Sequence, residues 1–104
     1  MLIPKKYSPN DIISIKLVTG EEVLAKFIED TFTEILVAKP VILAQSPSGG
    51  IAAVPFMVTV ERTTDLSFSK AQIISVAHTS KSFADQYIKI TTGLQVAKES
   101  DLVL

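Results

Sequence analysis

From Ile12 to Val37 apolar and polar residues alternate through two runs, split by a glycine turn and then by an acidic one. A period of two is the signature of a strand with one buried face. Ile13, Ile15 and Leu17 therefore point one way and Ser14, Lys16 and Val18 the other. Thr19-Gly20-Glu21 makes the first turn, with Gly20 free to adopt positive φ. Val23 to Ile28 reads as a second strand, and Glu29-Asp30-Thr31, residues depleted from strands, as the second turn. A third strand runs from Phe32 to Ala44. It is long enough to bend strongly and serve two sheets, and Pro40, lacking an amide hydrogen, marks the bend or an unpaired edge. The segment is a bent antiparallel meander.

Beyond it, Gln45-Ser46-Pro47-Ser48-Gly49-Gly50 is a loop by composition. Ile51 to Val60 is almost wholly apolar, which predicts a fourth strand with protein on both faces, bulged or unpaired at Pro55. Glu61 to Lys70 reads as a polar connection anchored by Phe68, and Gln72 to His78 as a fifth short strand. The period then changes. Thr79 or Ser80 caps a helix whose apolar positions are Phe83, Tyr87, Ile88 and Ile90, with Gly93 placed to end it. The expectation is one domain over residues 1–104: a barrel over 11–78, a helix over 80–92 and an extension over 93–104.

The apolar share is 47% in 104 residues, a high load for a small chain, and it points to further burial between subunits. No apolar run approaches the ~20 residues that span a bilayer, and Met1 to Asn10 lacks the apolar core of a secretory signal, so a cytoplasmic protein without membrane contact is expected. Ten Lys and Arg face eleven Asp and Glu, giving a net charge of −1, where indiscriminate phosphate binders are basic. Arg62 is the single arginine. The absence of cysteine removes disulfides, thiolate nucleophiles and Cys-based zinc sites. His78, the sole histidine, has no metal-ligand companion in the sequence. Glu29, Asp30 and Glu34 have neither a basic nor a nucleophilic partner beside them. Neither a metal, a cofactor nor catalysis is expected.

The pattern resembles the Sm and Sm-like proteins, whose short bent strands form SH3-like barrels. The apolar alternation leading to a glycine is matched by Ile13, Ile15, Leu17 and Gly20. A second family glycine falls on Ala25, the motif's aspartate on Asp30, and its closing apolar triplet on Ile35-Leu36-Val37. The helix placed after the barrel, with the Tyr87-to-Gly93 segment, is similar to small Sm-like proteins of bacteriophages, cyanophages included. The resemblance implies a five-stranded, strongly bent antiparallel barrel with a C-terminal helix. It also implies assembly of about five to seven copies into a ring, strand four of one copy pairing with strand five of the next. Val54, Phe56, Met57, Val58, Ile73 and Ser75 would form that interface. Two positions depart from the pattern. Glu34 stands where the family has a uracil-binding asparagine, and Lys70-Ala71-Gln72-Ile73 lacks the Arg-Gly of the second motif.

Two functional readings follow. In one, the ring binds RNA or single-stranded nucleic acid at its pore or face through Lys26, Phe32, Lys39 and Arg62, aided at the chain start by Lys5, Lys6 and Tyr7. In the other, it is a structural or adaptor ring that engages a protein, as in phage assembly or the redirection of a host protein.

Overall fold

The computed structural model describes residues 6–45 and 47–92. Six antiparallel strands are followed by one helix: β1 (Ile12–Leu17), β2 (Glu22–Asp30), β3 (Glu34–Gln45), β4 (Ile51–Pro55), β5 (Leu66–Ser69), β6 (Ile73–His78) and α1 (Lys81–Thr92), with a 3-10 turn at Lys70–Gln72. The fold is mainly β with a C-terminal helix. The strands run in the order β4-β3-β2-β1-β6, and β5 pairs with the first half of β3. Among the described residues the sheet does not close: β6 pairs only with β1, and β4 only with β3.

The expected alternation sets the core. Ile13, Ile15 and Leu17 of β1 are buried with Val23, Ala25 and Phe27 of β2, Ile35 and Val37 of β3, and Phe68 of β5. Tyr7, from the segment preceding β1, joins them. On the opposite face Leu24 and Val41 form a second cluster around Tyr87 of α1. Gly20 turns the chain at φ +106°, a conformation that suits glycine.

The third strand is one continuous, bent element. Its residues 34–37 pair with β5 and its residues 41–45 with β4. The bend lies at Lys39-Pro40, where the register with β2 slips so that Val41 faces Leu24 and Ala38 faces Lys26. Lys39 takes φ +48° there, a left-handed value uncommon outside glycine. Ala25 faces this bulge and is fully buried, which explains a small residue at that point.

Four expectations change. Glu29 and Asp30 are strand residues, pairing with Leu36 and Ile35, and the turn is Thr31-Phe32-Thr33. The Thr31 hydroxyl accepts from the Glu34 amide at 2.9 Å and holds that turn. The apolar run Ile51–Val60 is strand only as far as Pro55; the Phe56 amide still donates to the Pro40 carbonyl at 2.9 Å, but Pro40 has no amide hydrogen to return the bond and the ladder goes no farther. It is an edge with one partner strand, and Val58 beyond it is 68% exposed. There are six strands instead of five, because Leu66–Ser69 pairs with β3 and carries Phe68 into the core as the expected anchor. In α1, Phe83 and Tyr87 pack on the sheet while Ile88 and Ile90 stay about half exposed. Gly93 and the extension lie outside the described residues. No helix among the described residues is long and apolar enough to cross a membrane.

Candidate functional site

Three surface features are built from the sequence elements singled out above. The first is the tip of the β2–β3 hairpin. Phe32 stands at the turn, 95% exposed, between Thr31 and Thr33. The neighbouring turn docks here: the Lys70 amide donates to the Thr33 carbonyl at 2.8 Å, and its ammonium pairs with Asp30 at 2.6 Å. Ser69 caps the 3-10 turn by accepting from the Ala71 amide. Lys70 is thus neutralised. Glu29 and Glu34, both exposed, stand on the two strands that lead to this tip.

The second is a cleft of about 320 Å³ on the helix side of the sheet, lined by the β3 bend, the end of β4, the 57–66 connection and the last turn of α1. Lys39 and Arg62 both line it. Lys39 is already engaged, since its ammonium donates to the Thr91 carbonyl at 3.3 Å, complementing the negative end of α1. The same bend is gripped by Tyr87, whose hydroxyl donates to the Lys39 carbonyl at 2.6 Å and lies 3.2 Å from that of Ala38. Burial pushes the Tyr87 phenol well above its ordinary range, so it remains a neutral donor.

The third comprises the two open strand edges. β4 (IAAVP) and the 73–77 part of β6 (IISVA) carry no charged side chain. Val54 is 42% exposed and Ile74, thrown outward where the β1–β6 register shifts, is 62% exposed. Ser75 is exposed on the same edge, whereas Ile73 and Phe56 pack against the core, Phe56 with its ring 4.9 Å from that of Phe68. Met57 and Val58 lie past the strand and line the cleft.

The four expected nucleic-acid residues are not gathered into one site. Lys26 lies mid-strand in β2, opposite Ile12 and Ala38. Phe32 is six residues farther along the hairpin, roughly 20 Å at ~3.3 Å per residue. Lys39 and Arg62 share the cleft. Tyr7 is no base-stacking platform, for its ring packs 5.7 Å from Phe27 and 4.8 Å from His78, and its hydroxyl donates to the Val76 carbonyl. Burial raises its phenol, with the charge of Asp30 adding to the effect. His78 pairs with Asp11 at 3.1 Å. The Asp11 carboxyl is held below the usual range first by the Ser8 amide and then by His78. No group of three His, Asp or Glu side chains among the described residues is placed to hold a metal ion.

The cleft was missed at the sequence level because its wall depends on Pro55 ending β4 early, which sends Met57 to Thr64 back across the β3 bend. The two prolines, Pro40 and Pro55, were the available signal. Comparison with models of known protein families and with curated proteins finds no match for this chain.

Proposed function

We propose that the chain is a non-catalytic, Sm-like module of the SH3-like barrel type that joins its two open strand edges to copies of itself in a closed ring and serves as a protein-docking platform. One observation carries this reading: both ends of the sheet are uncharged edges with exposed apolar side chains. Free edges offer unpaired amides and carbonyls, and proteins that remain single guard them with Lys, Pro or a covering loop. Among the described residues each edge carries one such device, a bulge at Ile74 and Pro55 at the end of β4, and neither carries a lysine. Two different edges on one molecule make a head-to-tail contact, which closes by rotation. The continuous β3 with its bulge opposite Ala25, and the 3-10 turn leading into the last strand, support the Sm-like type.

Charge favours a protein partner over nucleic acid. Phe32, the most exposed aromatic ring, stands on a tip whose strands carry Glu29, Asp30 and Glu34, carboxylates that repel phosphate, and the Lys70 cation there is paired with Asp30. An apolar socket with a basic rim suits this tip. The exposed ring is also what a stacked base would use, so filter binding of single-stranded RNA at several salt concentrations decides between the two. The expected outcome is no retention even at low salt. Retention that falls as salt rises would replace the docking platform with a nucleic-acid ring.

A further inference from the structure

The cleft beside the β3 bend has a volume of about 320 Å³. Its walls are aliphatic, formed by Pro40, Val41, Pro55, Met57, Val58 and Ile90. Among the described residues no aromatic side chain lines it, so a nucleobase or other flat ring finds no stacking partner there. The polar lining comes mainly from the exposed segment Glu61–Thr64. Lys39 is occupied by the helix terminus. Arg62 has no ion-pair or hydrogen-bond partner among the described residues, although Glu61 is its neighbour in sequence.

A guanidinium is a planar fork that takes a carboxylate through two parallel hydrogen bonds, and the Thr63 and Thr64 hydroxyls add donors. We infer that this cleft is a binding site for a small aliphatic monocarboxylate, the chain lying on the Pro40–Val58–Ile90 wall and the carboxylate on Arg62. The site lies on the helix side of the sheet and does not depend on ring closure through the strand edges.

Octanoate, with about ten non-hydrogen atoms, matches the volume. Titrated into the full chain and followed by backbone amide shifts, it should saturate with a Kd in the millimolar range or tighter, with shifts confined to the lining segments 39–41, 53–66 and 90–91. Octylamine, the same chain with the opposite charge, should not bind. Arg62→Gln should weaken octanoate about tenfold, Arg62→Lys less, and Val58→Trp, at an exposed position the fold tolerates, should block it. Scattered or unsaturable shifts, equal binding of octylamine, or an unchanged Kd in Arg62→Gln each overturn the inference.

Discussion

Placing a lysine on each open edge tests the ring most directly. Ile74 is 62% exposed and Val54 42%, so neither is needed to fill the interior of a single subunit. Exposed substitutions of this kind shift folding stability by about 0.5 kcal/mol or less. Inter-subunit burial is different. Fully covering such a side chain contributes about 1.5–3 kcal/mol, so the uncovered fraction of Ile74 has roughly 0.9–1.9 kcal/mol still to give and that of Val54 roughly 0.6–1.3. Losing both weakens each contact by about tenfold to a few hundredfold before any charge effect, since 1.4 kcal/mol is a factor of ten. An unpaired ammonium at the covered edge adds to that loss. Light scattering coupled to size exclusion, run from micromolar to several hundred micromolar protein, should show a multi-subunit particle for the native chain and a folded single subunit for Val54→Lys/Ile74→Lys. Thermal unfolding at a concentration where both are single subunits should give nearly equal midpoints. A native chain that stays single throughout, or a double variant with the native particle mass, refutes the reasoning.

Tyr87→Phe removes a buried hydroxyl that serves two carbonyls of the bend and should cost about 1–3 kcal/mol in urea unfolding; a loss below ~0.5 kcal/mol would show that α1 does not clamp the bend. Gly20→Val meets no atom near its Cβ but must hold φ +106°, so its cost of about 1–3 kcal/mol is backbone strain alone, and equal stability in chemical denaturation would mean that the turn adopts another form. Asp11 has a depressed carboxyl pKa in the folded state, so its contribution is present above the carboxylate range and is lost as pH falls through it. Asp11→Asn should therefore lower stability at pH 7 and flatten the acid limb of a stability-against-pH curve; identical curves would count against the Ser8 and His78 contacts.

How much of this was legible follows from the period of each segment. Ile13, Ile15 and Leu17 alternate cleanly and were buried as read, and Pro40 marked the bend because proline cannot donate there. Leu66-Ser67-Phe68-Ser69 also alternates, but over only four residues, too few to separate a strand from a connection anchored by one aromatic. The apolar run through Val60 misled because hydrophobicity alone does not say where a ladder stops; the pairing ends where Pro40 has no amide to return the bond from Phe56. Asp30 joined a strand despite its turn preference, since the Lys70 ammonium and the pairing with Ile35 outweighed intrinsic propensity. The cleft was not legible because Lys39 and Arg62 are distant in sequence and meet only through the bend. That Lys39 would be engaged by a helix carbonyl depended on where α1 ends, which no periodicity specifies.

The pairing of β1 with β6 has a consequence for biosynthesis. The hydroxyls of Ser14 and Thr79 meet at 2.7 Å across 65 residues of chain. At a translation rate of about 5–20 residues per second, Ile13 and Ile15 wait roughly 3–13 s for the strand that covers their flank. During that interval the nascent meander carries a bare margin next to its most apolar residues. Slowed elongation before His78 should therefore raise the fraction of newly made chain that is captured by chaperones or lost to inclusion bodies, even when the finished protein is fully stable.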